Sequence, residues 1–223
     1  MILALESVFE QCSVALLTLD GQVIAEHTLP GNRLQTQQIL PMIADILSQA
    51  QRQFADLSAI AFNRGPGAFS GIRINTAVAQ ALAFAHDLPC LPVSSLQAVA
   101  QLAWQTDGLN HVYAVLDARM NQVYLGEFAL VHDTMQLVGQ EQLVDYDSVT
   151  ANAWPLVGNG ATLVSAQSEQ LSLSDRIPNA VIIGQLGAHL LATGQAVPAE
   201  QALPVYLRHN AWKTLAEQKV TNK

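Results

Sequence analysis

The sequence predicts an α/β fold of two related lobes, the second smaller than the first. Apolar strand-like runs alternate with helical runs along most of the chain, as in α/β proteins. A strand that ends in an acidic residue and is followed by a returning strand occurs twice, at Glu6 and at Asp117. We therefore expect a first lobe over residues 1–107 and a smaller second lobe over residues 108–223.

The first lobe is expected to open with a meander of three strands, at residues 2–5, 13–19 and 22–29. Asp20-Gly21 joins the last two strands and is a strong hairpin signal. Apolar residues then recur at helical spacing, which predicts a helix within residues 34–52. Pro41 is either a first-turn residue of this helix or a kink in it.

A glycine loop follows and separates a buried strand, residues 57–62, from a second helix, residues 71–86. This helix is apolar nearly all round, whereas a surface helix normally keeps a polar face. We therefore expect it to be covered on both sides, by its own sheet and by a partner chain.

Similar reasoning predicts the remaining elements. They are a strand at 90–93, a helix beginning near Ser95, strands at 112–116 and 122–131, a short strand at 155–157, a glycine turn at 158–160 that leads into a helix, and a helix at 181–192.

The composition favours a protein-binding role over direct nucleic-acid binding. Hydrophobic residues make up 50% of the chain and charged residues only 13%, so much of the surface is uncharged and available as an interface. The net charge is −8, whereas nucleic-acid affinity depends chiefly on lysine and arginine. We expect any tRNA or other nucleic acid to be contacted only indirectly, through a partner.

No apolar run approaches the roughly 20 residues needed to span a bilayer, and the start lacks a secretory signal. A cytoplasmic protein without membrane contact is expected. Cys12 and Cys90 lie in apolar strand-like runs, which favours two buried thiols over a disulfide. We expect no cofactor and no metal.

Several segments together resemble the bacterial TsaB family, nearly from end to end. They are Ile2-Leu-Ala-Leu-Glu-Ser7 with Cys12-Ser-Val-Ala-Leu16, Gln38-Ile-Leu-Pro-Met42, Arg64-Gly-Pro-Gly-Ala-Phe-Ser-Gly-Ile-Arg73, Leu116-Asp-Ala-Arg-Met120 and Pro204-Val-Tyr-Leu-Arg208. The resemblance implies the two-lobed, ribonuclease-H-like fold of the actin, sugar-kinase and chaperone ATPases. It also implies a place in making threonylcarbamoyladenosine next to the anticodon of tRNA, where TsaB pairs with the catalytic subunit TsaD and works with the ATPase TsaE.

The resemblance further implies that this chain is not itself an enzyme. The catalytic relative carries metal-binding histidines at i and i+4 of a helix, where this chain has Ser95 and Val99. The six histidines, at positions 27, 86, 111, 132, 189 and 209, include no i, i+4 pair. The turn after Glu6 carries Val8 and Phe9, which would crowd a phosphate. The alternative is a nucleotide-dependent transferase or kinase with a degenerate active site.

Two small polar features have both a structural and a functional interpretation. Gly65, Gly67, Gly71 and Arg73 form either an anion-binding loop or a tight strand-to-helix turn, in which Arg73 pairs with a carboxylate. Glu6 and Asp117 are either turn carboxylates or a vestigial nucleotide–magnesium pair.

The expected partner interface lies on the two apolar helices of the first lobe. Its residues are Leu34, Ile39, Met42, Ile43, Ile46 and Leu47 on the first helix, and Ile74, Ala77, Val78, Ala81, Leu82 and Ala85 on the second. The same surface would allow a homodimer when the chain is alone; packing within the monomer is the alternative. From the sequence we expect Ala81→Glu and Ile46→Glu each to give a folded monomer that no longer binds its partner.

Overall fold

The computed structural model describes residues 1–31, 34–149, 154–164, 172–173 and 177–208, which form an α/β structure with two five-stranded sheets. The strands are β1 Ile2–Glu6, β2 Gln11–Leu17, β3 Val23–Pro30, β4 Ala59–Asn63, β5 Cys90–Val93, β6 His111–Arg119, β7 Gln122–Val131, β8 Thr134–Asp145, β9 Leu156–Val157 and β10 Ser172–Leu173. The helices are α1 Gln35–Gln49, α2 Phe69–His86, α3 Ser95–Asp107, α4 Ala161–Val164 and α5 Ala180–Ala192. His209 lies outside the described residues.

The two sheets have the same topology. In the first, with strand order β3-β2-β1-β4-β5, β1 pairs with β2 antiparallel and with β4 parallel. In the second, with order β8-β7-β6-β9-β10, β6 pairs with β7 antiparallel and with β9 parallel. The repeat inferred from Glu6 and Asp117 is therefore real, and the predicted fold class is confirmed.

The first sheet is covered on both faces. On one face Leu3, Leu5 and Leu16 pack in a core with α1 and α2. On the other face Ile2, Ala4 and Leu17 pack in a second core with α5. The sheet is thus buried between helices, which accounts for its almost uninterrupted apolar central strands.

Helix α5 belongs to the first lobe, although the sequence assigned it to the second. A Cβ on Gly184 would lie 2.2 Å from Leu17 Cδ1, and one on Gly187 would lie 2.6 Å from Ala61 Cβ, so only glycine permits this approach. Val197 also pairs with Cys90 of β5. The predicted division at residue 107 therefore needs correction. Residues 180–197 return to the first sheet, so the first lobe contains two separate stretches of the chain.

Helix α1 buries its apolar stripe inside the monomer. Ile39, Met42, Ile43, Ile46 and Leu47 all lie in the core beneath the first sheet, and Ile46 has no exposed surface. These five residues cannot contact a second chain while the monomer is folded, so their assignment to a partner interface is wrong. Of the α1 residues predicted for the interface, Leu34 alone is exposed. Pro41 lies inside the helix rather than in its first turn.

Helix α2 is covered on one side only. Ile72, Ala79 and Ala83 are buried against the sheet, whereas Ala77, Ala81 and Ala85 are exposed. The other predicted interface residues on this helix, Ile74, Val78 and Leu82, are half-buried. The expectation that one side packs on the first sheet is correct, and the other side is left as an apolar surface.

Strand β8 was not predicted. The apolar residues of Thr134–Asp145 do not alternate regularly with polar ones, and most of its side chains are exposed because the strand forms the edge of the second sheet. Cys12 and Cys90 are free, buried thiols, as expected. Within the described ranges no helix has both the length and the apolarity to cross a membrane.

Candidate functional site: a cleft between the lobes and an exposed helix face

A cleft of about 640 Å³ lies between the two lobes. Its walls come from the β1–β2 turn, the start of α2, the end of β6, the turn before α4 and the segment that follows α5. The lining residues are Val8, Phe9, Glu10, Gly67, Ala68, Phe69, Ile72, Arg73, Leu116, Asp117, Ala118, Arg119, Tyr124, Asn159, Val205, Tyr206 and Arg208. This is the position at which two-lobed α/β proteins bind small ligands.

Glu6 lies behind the cleft, sealed in the first lobe. Its Oε1 accepts hydrogen bonds from the backbone N–H groups of Val8 (2.5 Å) and Phe9 (2.9 Å), and its Oε2 accepts one from Asn63 Nδ2 (2.5 Å). Burial raises the pKa of Glu6 to about 7, against the lowering effect of these three hydrogen bonds. The carboxylate therefore shapes the β1–β2 turn.

Asp117 occupies the equivalent position in the second lobe but lines the cleft. Its Oδ1 accepts from the Arg119 backbone N–H (2.8 Å) and its Oδ2 pairs with Arg119 Nη1 (2.9 Å). Glu6 does not line the cleft and Asp117 does, so the two carboxylates do not face each other across it. The vestigial magnesium pair is not formed, and the turn interpretation of both residues is favoured. Within the described ranges no group of three or more histidine, cysteine, aspartate or glutamate residues is placed to hold a metal.

The glycine loop is filled by the protein itself. A Cβ on Gly67 would lie 2.5 Å from Val8 Cγ1, and one on Gly71 would lie 2.1 Å from the Ser7 carbonyl oxygen. The N–H of Gly65 donates to Asn63 Oδ1 (2.9 Å). The glycines are thus required because the β1–β2 turn packs directly on the glycine loop and the start of α2, with Val8 against Gly67. Of the two interpretations of this loop, these contacts favour the tight strand-to-helix turn.

Arg73 has a different partner from the one expected. Its guanidinium carbon lies 3.5 Å from the centre of the Phe69 ring, and its Nε donates to Tyr206 Oη (3.2 Å). No carboxylate among the described residues pairs with it. Arg73 therefore presents its remaining N–H groups at the cleft, held in place by two aromatic side chains.

Ser95 and Val99, which the sequence analysis compared with a metal-binding pair, make structural contacts in this chain. Ser95 is buried and its Oγ donates to Asn63 Oδ1 (2.6 Å), and Val99 is part of the core between α3 and the second sheet. The neighbouring Ser94 caps α3 and bonds to Glu141 of β8. The Ser94–Glu141 contact joins the two lobes, and the Ser95 hydroxyl and the Val99 side chain are both used in contacts within the protein.

The comparisons with known proteins agree on one family. The family model described as TsaD, tRNA N6-adenosine threonylcarbamoyltransferase, matches residues 23–215. The curated protein "tRNA threonylcarbamoyladenosine biosynthesis protein TsaB" of Escherichia coli is 38% identical, over 96% of this chain and 97% of its own length. The chain belongs to the TsaB family. The TsaB protein of Haemophilus influenzae is 36% identical over 96% of each chain.

A solved structure agrees with the fold. YeaZ from Pseudomonas aeruginosa superimposes with a TM-score of 0.86 at 40% identity and covers 92% of this chain and 99% of its own. The chain therefore shares the fold of this solved structure over most of its length.

The exposed face of α2 includes a large apolar residue that the sequence analysis did not assign to the interface. Phe84 is 84% exposed, the largest exposed fraction among the large apolar residues of the described chain, and Leu40 is 53% exposed. Ala77, Ala81 and Phe84 lie at positions i, i+4 and i+7, so they share one side of α2 and form what we call the α2 face. Leu34 and Leu40, at the start of α1 and within it, are further exposed apolar residues. Helical periodicity does not identify exposed apolar residues of this kind, because it indicates the buried stripe of a helix and not the apolar side chains outside that stripe.

Proposed function

We propose that this chain is a non-catalytic subunit in tRNA threonylcarbamoyladenosine biosynthesis, which pairs with and activates a TsaD-type catalytic subunit. The observation that carries the proposal is the α2 face in a chain whose own family model is that of the transferase. Related folds often pair through corresponding surfaces, so a face that is open in one relative fits the equivalent face of the other.

The chemistry of the α2 face suits helix-to-helix docking. Ala77 and Ala81 are four residues apart, which places both on one side of α2 and allows a partner helix to approach closely. Phe84, almost fully exposed, supplies a large apolar side chain of the kind that anchors interfaces. An interface of about 800 Å² on each partner would be an ordinary stable one.

Residues in and behind the cleft support an accessory role rather than an enzymatic one. Both carboxyl oxygens of Glu6 accept hydrogen bonds within the first lobe, the Ser95 hydroxyl donates to Asn63, and Val8 packs against Gly67 of the glycine loop. A nucleotide-dependent transferase would need these groups free to reach phosphate and metal. We therefore assign the transfer chemistry to the partner.

The same face also allows self-association. A homodimer through α2 would compete with the heterodimer, because both would cover the same residues. In the proposed assembly the TsaE ATPase joins the heterodimer, and tRNA contacts are made mainly by the other subunits, since this chain carries a net charge of −8.

Sedimentation velocity of the full chain with a purified TsaD-type subunit tests the pairing. We expect a one-to-one complex with the wild-type chain, and its loss with Ala81→Glu. Ala192→Glu is the matched control, since Ala192 is an exposed helical alanine on α5, which packs on the opposite face of the first sheet. Equal complex formation by both variants would refute the α2 face as the docking surface.

A further inference from the structure

The interlobe cleft has the composition of a site for a small anion, although its phosphate loop is closed. Three of the ten lysine and arginine residues of this acidic chain line it: Arg73, Arg119 and Arg208. The two acidic residues in its walls are Glu10 and Asp117, and Asp117 is already paired with Arg119. Arg73 and Arg208 are thus the cations of the cleft without a carboxylate partner among the described residues.

Both of these arginines are held in position by other contacts. Arg73 is stacked on Phe69 and bonded to Tyr206. Arg208 Nη2 donates to the carbonyl oxygens of Ala118 (3.0 Å) and Arg119 (3.4 Å). An arginine has five N–H donors in a fixed planar fork, so each side chain keeps donors for a further acceptor. Pre-positioned guanidinium groups lose little entropy when they bind an oxyanion.

The backbone that carries Arg119 is also unusual. Arg119, Met120 and Asn121 have φ values of 62°, 58° and 59°, three consecutive non-glycine residues in the left-handed region. Each such residue costs about 1 kcal/mol or more relative to an ordinary conformation. This turn places Arg119 at the cleft wall beside the carbonyl groups that hold Arg208.

We propose that the cleft binds a small ligand with a phosphate or carboxylate group, held by Arg73 and Arg208 without a divalent metal, and with an apolar or aromatic body against Phe69 and Tyr206. The volume of about 640 Å³ suits a ligand of this size. The filled glycine loop excludes a phosphate chain at that point, so the oxyanion lies on the arginine side of the cleft. Arg73 lies one turn before Ala77 on α2, but none of the residues proposed to hold the ligand belongs to the α2 face, and the site does not depend on the proposed pairing.

Isothermal titration calorimetry of the full chain, with EDTA present, tests the site with three probes: inorganic phosphate, phenyl phosphate and benzoate. We expect saturable one-to-one binding of phenyl phosphate or benzoate. The probe with the higher affinity shows whether the site prefers a phosphate or a carboxylate group. Inorganic phosphate should bind more weakly, because it lacks the apolar body. Absence of saturable binding of all three probes would overturn the proposal.

Variants locate the site. Arg208→Gln is expected to weaken binding by about tenfold or more, the usual effect of losing a charged hydrogen bond. Arg52→Gln is the matched control, because Arg52 is exposed and does not line the cleft. If Arg208→Gln does not fold, Asn159→Asp serves instead: the new carboxylate still accepts the Asp117 N–H but adds a negative charge to the wall. Equal affinity in wild type and the cleft variants would show an adventitious ion only and would overturn the site.

Discussion

Replacing Ile46 by glutamate tests whether the apolar stripe of α1 is buried within the monomer or exposed to a partner. Ile46 has no exposed surface and packs in the core beneath the first sheet. Loss of such a side chain costs about 2–5 kcal/mol. The new carboxyl group must also stay neutral at pH 7, which costs about 3–4 kcal/mol more, since an ordinary glutamate ionises near pH 4.3.

The combined cost, roughly 5–9 kcal/mol from these two effects, is comparable with the whole free energy of unfolding of an ordinary domain. We therefore expect Ile46→Glu to be largely unfolded at pH 7, by circular dichroism and urea titration. Lowering the pH from 7 to 5 should recover about 2–3 kcal/mol relative to wild type at the same pH, because the unfolded-state carboxyl group is then closer to its protonated form.

Ala81→Glu is the control, since Ala81 is exposed and its replacement should change stability by no more than about 0.5 kcal/mol. The reasoning would be refuted if Ile46→Glu unfolded at the same urea concentration as Ala81→Glu. Such a result would mean that the stripe of α1 is exposed, as an interface on this helix would require.

Three further predictions concern buried groups. The raised pKa of Glu6 means that the native state holds this proton more tightly than the unfolded state, so its contribution to stability is full below pH 4.5 and is lost between pH 4.5 and about 7. The loss amounts to roughly 3 kcal/mol in the free energy of unfolding, and it should be missing from the pH dependence of urea unfolding in Glu6→Gln. The same loss of stability in Glu6→Gln would contradict the burial of Glu6. Gly71→Ala should destabilise the fold by about 3 kcal/mol, because the added Cβ of this buried residue would meet the Ser7 carbonyl oxygen. Ser70→Ala is the control, since Ser70 is exposed in the same turn of α2 and its replacement should be nearly neutral in thermal unfolding. Equal melting temperatures of the two variants would refute the contact. Burial raises the pKa of both Cys12 and Cys90 to about 11, so Ellman's reagent at pH 8 should label neither thiol in the native protein and both in urea, and rapid native labelling would show that the strands are open.

Much of the fold could be predicted because its signals are local. Strands β5 and β7 were located at their observed bounds, since their apolar runs are bordered by turn residues. The repeat of a strand, an acidic residue and a returning strand indicated two related lobes, which the matching topologies of the two sheets confirm. These features depend on residues within one hairpin or helix.

The features that failed depend on distant contacts. The stripe of α1 was visible as periodicity, but its cover, Leu3 and Leu16 of the first sheet, lies elsewhere in the sequence. The return of α5 to the first lobe depends on Gly184 meeting Leu17, a contact across most of the chain. No local pattern in these helices distinguishes a face buried by the chain from one covered by a partner.

The sequence identified some residues of the candidate site but not how they are arranged in space. Glu6 and Asp117 were identified from the repeat, yet one is sealed by Asn63 and the other faces the cleft beside Arg119. The exposed Phe84 lies off the periodic stripe, so only the three-dimensional structure shows that it dominates the α2 face.

Reconstituted tRNA threonylcarbamoylation gives the most direct measurement of the central claim, that this chain acts by docking and not by chemistry of its own. With the TsaD-type subunit and all other components present, product formation should require this chain, persist with Ala192→Glu and fall to the level without the chain in Ala81→Glu. The chain without the TsaD-type subunit should form no product. Product made by this chain in the absence of that subunit, or full activity of Ala81→Glu, would contradict the account.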